Sequence, residues 1–367
     1  MSDLVLMFVA SHRTRSPKNR RASYTGRMDE SLEHSQSEEL PPDPNTALRI
    51  EVTSKQNSQR LDALLCDQLK LSRAQALRLL DSGVVHVNAR VADRGDKGLR
   101  LETGWAVLVR SFTPPGQMKI LPDESLVIPV LASGPGWVIV NKPAGVAVHP
   151  LREGETGTVM NAIAAMFPQV DGVGEGGLRS GVVHRLDIET SGTLLIAHEQ
   201  ATWQRLRQAF IQHRTRKLYR ALVSGVMQGS GEEKLSLYVA RHKPALVRVA
   251  NSRTPIADVR SCDLSWRVVQ SFDHATLLEI ELGTGFLHQI RATLAHLGHP
   301  VLGDGVYSVS PDPVNPSVTT DAAADALNAS CDRPMLHAWS LAVQEAKATA
   351  PDPQDFLDAI DRCSRSR

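Results

Sequence analysis

The sequence predicts an α+β protein with a small α/β unit ahead of its main body, and two observations carry that prediction. From about residue 131 to 345 short apolar runs alternate with amphipathic stretches in no regular strand–helix–strand order. That pattern suggests a largely antiparallel sheet with helices beside it. Ahead of it, residues 51–112 read as helix, helix, strand, turn and strand. At 367 residues, with 42% hydrophobic and 22% charged side chains, the chain is long enough for more than one domain and has the composition of a soluble globular protein. No apolar run reaches the length needed to span a bilayer, and the short apolar segment Leu4–Ala10 has no basic region before it, so a cytoplasmic protein without membrane attachment is expected.

Residues 1–50 have the composition of a disordered extension. A basic stretch at Arg13, Arg15, Lys18, Arg20 and Arg21 gives way to acids and then to Pro41-Pro42-Asp43-Pro44. Gln59 to Leu65 opens an amphipathic helix, and Ser72-Arg73-Ala74-Gln75 is a capping-box start to a second, which Gly83 stops. Val84 to Asn88 is then a strand, Asn88-Ala89 a turn, and Trp105 to Val109 a closing strand. Pro114-Pro115-Gly116 marks a linker over residues 113–130. The main body follows at 131–345, with a Pro-, Ala-, Ser- and Asp-rich surface insertion at 308–333. Residues 346–367 read as a tail with a short helix at Phe356 to Ile360 and a frayed basic end.

The chemistry concentrates in His184-Arg185-Leu186-Asp187-Ile188-Glu189-Thr190-Ser191-Gly192. Gly181-Val182-Val183 leads in and Leu194-Leu195-Ile196-Ala197 leads out, so Asp187 is expected in a tight turn between two buried strands. A carboxylate fixed between basic side chains is a candidate nucleophile. Nothing points to a cofactor: there is no Walker A sequence, and Gly172 to Gly177 follows no clear strand and opens no helix, so it reads as a loop. Cys66, Cys262, Cys331 and Cys363 form no C-x-x-C pair and are expected as free thiols. His288, His296 and His299 lack a carboxylate to complete a metal set, so no metal is expected.

The formal charge is only +1, yet from Gln200 to Gly231 there is no acid, while Arg205, Arg207, Arg214, Arg216, Lys217 and Arg220 accumulate. That local excess is either a solvated basic face or a track for a polyanion.

The nonapeptide resembles the signature of the RluA-type pseudouridine synthases, and three further segments strengthen the resemblance. They are Val138 to Pro150, expected as strand, Pro-Gly turn and strand; the strand Arg216 to Val223; and Leu282 to Arg291 continuing to Tyr307. Met335-Leu336-His337-Ala338 looks like a late family strand. The resemblance implies the pseudouridine synthase fold and an isomerase that needs no cofactor. It implies Asp187 as nucleophile, Arg291 as the guanidinium beside it, and Tyr219 against the target base. His184, Arg185, Thr190, Arg216 and Lys217 are the expected RNA contacts. The family commonly has Arg where this chain has Phe286 and often His where it has Thr293.

Residues 51–112 resemble the small RNA-binding module first named from ribosomal protein S-four, which makes Arg60, Arg73 and Arg78 candidate phosphate contacts. Together these imply uridine isomerisation in structured RNA by a monomer, with large-subunit ribosomal RNA as leading substrate and transfer RNA as alternative. A non-catalytic RNA-binding or ribosome-assembly factor is the competing class, and it need not keep Asp187, Tyr219 and Arg291 together. A carboxylate glycosidase is another, but it wants a second positioned acid.

Overall fold

The computed structural model describes residues 48–110, 112–251, 259–308 and 322–365. Nearly all of the expected amino-terminal extension, residues 1–47, lies outside them, but Leu48 to Ile50 belong to the first strand.

The first unit contains β1 (Leu48–Glu51), α1 (Leu61–Leu69), α2 (Arg73–Asp81), β2 (Val85–Val87), β3 (Arg90–Val91) and β4 (Ala106–Val109), with its sheet in the order β1-β4-β2-β3. Leu61, Leu64 and Leu65 recur at helical spacing and are fully buried, against Val85, Val107 and Val109 from alternate strand positions. Each such side chain contributes about 1.5–3 kcal/mol of transfer free energy. The capping box forms as expected. The Gln75 N–H donates to Ser72 Oγ at 3.3 Å, and Gln75 Oε1 accepts from the Ser72 N–H at 2.8 Å. Asn88 and Ala89 both adopt positive φ, the conformation of a tight two-residue hairpin turn, between β2 and β3.

The second unit is built on one large sheet. Its strands are β5 (Val130–Gly134), β6 (Trp137–Lys142), β7 (Ser191–Ala197), β8 (Arg216–Ser224), β9 (Ser230–His242), β10 (Ala245–Val249), β11 (Arg260–Ser271), β12 (Ala275–Leu282), β13 (Leu336–Val343) and β14 (Ala346–Thr349). Its helices are α3 (Val159–Met166), α4 (Gln200–Ile211), α5 (Gln289–His296), α6 (Ala322–Ala329) and α7 (Gln354–Arg365). The order is β10-β9-β11-β12-β8-β13-β7-β6-β5, with β14 paired to β13. Every pairing is antiparallel except β13 with β7, where His337 faces Ser191 and Ala338 faces Gly192.

The central strands are apolar on both faces because both faces are covered. In β6 and β7, Val138, Val140, Leu194 and Ile196 pack with Met160 and Ile163 of α3. Trp137, Ile139, Leu195 and Ala197 turn the other way, to Leu206 and Ala209 of α4. The single parallel seam is very close. A Cβ on Gly192, whose φ is +115°, would lie 2.2 Å from the Ala338 carbonyl oxygen, so the Thr-Ser-Gly ending of the signature is a packing requirement.

Four expectations change. Val182 makes one isolated bridge to Ile196 instead of leading in as a strand, and residues 146–150 form no second strand. The backbone there carries positive-φ glycines and serves the turn contacts described below. The carboxyl end is no loose tail: β14 extends the sheet, and α7 runs to Arg365 because Phe356, Ala359 and Cys363, at helical spacing, enter the core beside β8 and β12. Of the expected surface insertion, 309–321 lie outside the described residues, but α6 buries Leu327 in that core and Arg333 is buried too.

Candidate active site

The expected catalytic residues come from three places. Asp187 precedes β7, Tyr219 lies in β8, and Arg291 lies in the first turn of α5, which follows β12. Strand β13 stands between β7 and β8 at the middle of the sheet, so the loop entering β7 and the side chains of β8 meet where the parallel seam begins.

Asp187 is held by its own turn. The Thr190 N–H donates to the Asp187 carbonyl at 3.1 Å, closing a four-residue turn. The two central carbonyls of that turn are also taken. Ile188 O accepts from Lys142 Nζ at 2.7 Å and from the Gly145 N–H at 3.0 Å, and Glu189 O accepts from Arg333 Nη1 at 3.1 Å. Lys142 is fully buried and donates as well to the carbonyls of Pro143 at 2.8 Å and Val146 at 2.7 Å. Burial pushes its pKa down to about 8, against the pull of Glu189 and Asp187. A lysine directly after an apolar strand run, as in Val138 to Lys142, is the signal that sequence reasoning passed over.

With its backbone fixed, the Asp187 side chain, 26% exposed, meets Arg291 Nη1 at 3.3 Å. Arg291 is aimed in turn by Asp304, which is wholly buried and takes Nε at 2.6 Å and Nη2 at 2.9 Å in a bidentate pair. Burial works against the Arg291 cation, but the bonds to Asp304 and the charge of Asp187 outweigh it and raise its pKa. Asp304 also accepts from the backbone N–H groups of Val306 and Tyr307, so the Gly303-Asp304-Gly305 turn carries the pair.

Behind Arg291 lies the Tyr307 ring, its centroid 5.2 Å from the guanidinium carbon. The Tyr307 hydroxyl accepts from the Val247 N–H at 2.9 Å and lies 3.1 Å from His288 Nδ1, while His288 Nε2 lies 3.8 Å from Asp187 Oδ2. Burial and Arg291 lower the His288 pKa against the pull of Asp187, which favours the neutral imidazole. When the Tyr307 hydroxyl donates to Nδ1, the ring hydrogen sits on Nε2, on the side of Asp187. His288 and Asp304 join the site from parts of the sequence that gave no local sign of pairing with Asp187.

Tyr219 is buried, and burial together with the nearby Asp187 charge raises its pKa. It is therefore a protonated phenol at neutral pH, suited to presenting a flat ring rather than to acting as a base.

The structure redistributes the expected RNA contacts. His184 stacks on Phe210 with ring centroids 4.7 Å apart, and its Nε2 accepts from the Leu195 N–H at 3.0 Å. Burial holds its pKa down to about 3, so it is a neutral support under β7. Thr190 is buried in the turn, and Lys217 is buried with Nζ on the Thr284 carbonyl at 2.7 Å. Lys217 and Thr190 are buried and His184 is half-buried. Arg185 is exposed, makes no hydrogen bond or ion pair among the described residues, and lies within electrostatic reach of Arg179 and Arg207 and of the acids Glu175 and Asp187. Arg216 is exposed and paired loosely with Glu281 at 3.4 Å. Arg60 and Arg73 share the buried Asp62, at 2.9 and 3.4 Å, and Arg78 is exposed. Phe286 packs against the core around Leu237, Val247 and Tyr307 and supplies no cation where the family commonly has one.

Comparison with known proteins accords with this geometry. Residues 136–296 match the family model described as RNA pseudouridylate synthase. A Synechocystis protein described as an uncharacterized RNA pseudouridine synthase is 34% identical over 269 residues, which are 70% of this chain and 76% of that protein. Ribosomal large subunit pseudouridine synthase D of Haemophilus ducreyi is 28% identical over 327 residues, 86% of this chain and 94% of that one. Among solved structures, human RNA Pseudouridylate Synthase Domain Containing 4 shares the fold with a TM-score of 0.50 at 20% identity, covering 64% of this chain and 92% of that chain. The fold and these relatives define an RNA-modifying isomerase. The chain belongs to the RluA-type RNA pseudouridine synthase family.

Proposed function

We propose that the protein converts particular uridines of large-subunit ribosomal RNA to pseudouridine, with Asp187 as the nucleophile. The observation that carries this reading is a partly exposed carboxylate whose turn is bonded at the Asp187, Ile188 and Glu189 carbonyls and whose oxygen meets a guanidinium locked on a second, buried acid.

The reaction is an isomerisation. The bond from ribose C1′ to uracil N1 breaks, the freed base rotates, and a bond from C1′ to C5 forms. The proton on C5 is lost and one is gained at N1, so nothing is oxidised. Asp187 attacks the sugar, or removes its proton, as the uracil departs. A stacked base drives water from the carboxylate and favours its neutral form, and Arg291 offsets that. Tyr219 offers its ring to the uracil. Arg185, uncommitted within the protein, is the candidate to fill the space left by the extruded nucleotide or to bind a flanking phosphate, offsetting an extrusion cost of about a few kcal/mol.

The substrate class rests on the coverage of the Haemophilus enzyme, named for the large ribosomal subunit, across nearly its whole length. It rests also on the small amino-terminal unit, which carries Arg60 just ahead of its first helix and Arg73 and Arg78 on its second and which we read as an RNA-binding module like that of ribosomal protein S-four. The protein is proposed to act as a cytoplasmic monomer without a cofactor. Pseudouridine mapped at nucleotide resolution in RNA from a strain lacking the gene tests the reading. Sites missing from large-subunit ribosomal RNA support it, and sites missing only from transfer RNA move the substrate there. Free uracil released from RNA by the purified protein would replace isomerisation by glycosidase chemistry.

A further inference from the structure

The Asp187 turn is tied to the carboxyl-terminal helix through one buried side chain. Arg333, 6% exposed, spends Nε and Nη2 on the Asp355 carboxylate of α7 at 2.6 and 3.0 Å. Its remaining nitrogen, Nη1, reaches the carbonyls of Glu189 at 3.1 Å and Pro334 at 3.0 Å, and Nη2 also approaches Ser191 Oγ at 3.5 Å. Glu189 is two residues after Asp187 and Ser191 is the first residue of β7, so one guanidinium grips both the exit of the turn and the start of the strand.

We propose that Asp355 and Arg333 are positioning residues of the reaction. Asp355 orients the Arg333 fork, and Arg333, through the Glu189 carbonyl, fixes the direction of the Asp187 carboxylate. This rests on the proposed role of Asp187. The turn has two buried cationic holds, Lys142 on Ile188 and Arg333 on Glu189. Only the second depends on a partner from outside the stretch matched by the family model. A carboxylate that must meet a sugar carbon in line is sensitive to small errors: a displacement of about 1 Å can cost on the order of a hundredfold in rate. A neighbouring pair supplies the contrast. Asp352, three residues before Asp355, pairs with Arg220, whose guanidinium sits over Trp339 and makes no contact with the 187–191 segment.

The test compares Asp355→Asn, Asp355→Glu, Asp352→Asn and Arg333→Lys in the full-length protein. Single-turnover pseudouridine formation is measured at saturating RNA, well below each variant's melting temperature, beside the dissociation constant for the same RNA. Asp355→Asn is expected to lower the rate about 10- to 100-fold with RNA affinity within about twofold, and Asp355→Glu to restore most of it, because the carboxylate side is half open to solvent. Arg333→Lys keeps the charge but cannot bond Asp355 and Glu189 together, so it reproduces the loss if Asp355→Asn fails to fold.

Amide exchange supplies a readout independent of activity. The Thr190 and Gly145 amides, bonded to Asp187 and Ile188, should lose protection about tenfold in Asp355→Asn and not in Asp352→Asn. The proposal is overturned if Asp355→Asn melts earlier but reacts at the native rate, or if Asp352→Asn slows the reaction equally. A native protein that makes no pseudouridine would strike the proposed function instead, and the exchange data would still decide whether the strut exists.

Discussion

Two groups of basic side chains are distributed in opposite ways, one scattered along the sequence and gathered by the fold, the other contiguous in sequence and dispersed by it. Around Asp187, the cations Arg291 and Lys142 and the more distant Arg333 converge on four residues, each with geometry dictated by an acid or by carbonyl groups. From Gln200 to Gly231, the longest acid-free basic stretch of the described chain, the charges disperse. Arg205 pairs with Glu345, Arg207 donates to the Val183 carbonyl, Arg216 leans on Glu281, Lys217 is buried and Arg220 pairs with Asp352. A run of charge in a strand and its preceding helix is divided among faces, and partners far away in sequence claim most of it. Charge density along a chain is therefore a poor guide to free charge on the surface.

The contrast is broken most directly at Asp187. Asp187→Asn keeps the volume and the turn, so the protein should remain folded. Pseudouridine formation should fall by at least about a thousandfold, because a neutral amide cannot take the place of a nucleophile. Circular dichroism with pseudouridine counting in the same preparation checks both halves. If modification survives, Asp187 has no part in the chemistry and the convergence around it is architectural.

Next in size is the buried pair. Arg291→Met removes the partner of Asp304, which has no access to solvent. Leaving that carboxylate uncompensated should destabilise the fold by about 3–5 kcal/mol. Denaturant titration measures it, and a loss under 1 kcal/mol would mean that Asp304 is neutralised by other means.

The pH dependence separates chemistry from stability at Lys142. Its pKa is lowered from 10.5 to about 8 in the fold, so between those values the unfolded chain binds the proton and the folded one does not. Linkage then makes this group's contribution to stability rise with pH: the cost of burying the cation, present below about pH 8, is relieved above it. Catalysis should move the other way. The neutral amine has two hydrogens for three carbonyls, so the hold on the Pro143, Val146 and Ile188 carbonyls weakens. Single-turnover rates should show an alkaline limb near pH 8 with no matching fall in melting temperature. Lys217, also lowered to about 8, bonds only Thr284, and Lys217→Met should keep the limb. Tyr219 and Tyr307 are both pushed upward and cannot supply it.

How much of this was legible beforehand depends on the range of the interaction. Capping at Ser72, the Asn88-Ala89 turn, the strand bearing Tyr219 and the tight turn at Asp187 are set by residues within a few positions of one another, and each could be read. The support of Asp187 could not. Asp304 meets Arg291 across 13 positions, and Arg333 meets Glu189 across 144, through contacts that exist only once β13 has inserted beside β7. The tail was misjudged for the same reason. Its Ala, Pro and Asp content looks solvent-facing until Phe356, Ala359 and Cys363 are seen to share one side of α7. His184 and Lys217, expected as RNA contacts from their residue type, serve in the fold as acceptor and donor for the backbone of neighbouring elements.

The smallest effects sharpen the comparison of free with committed charge. Each phosphate contact adds about 0.7–0.9 to the slope of log affinity against log salt. Arg185→Gln should therefore reduce that slope by about one, since Arg185 makes no hydrogen bond or ion pair among the described residues and Glu175 and Asp187 act on it only from a distance. Lys217→Met should leave it unchanged, because a buried ammonium on a carbonyl releases no counterion from RNA. Arg216 lies between these cases. Its contact with Glu281 is 3.4 Å long, with the two side chains 64% and 46% exposed, and such a pair contributes about 0–1 kcal/mol. A phosphate therefore has little to displace. Arg216→Gln should lower the salt slope by less than Arg185→Gln does, and Glu281→Gln, by freeing Arg216, should raise RNA affinity slightly. If Glu281→Gln weakens binding instead, the pair orients β8 for RNA, and the acid-free stretch does more for recognition than its dispersed partners suggest.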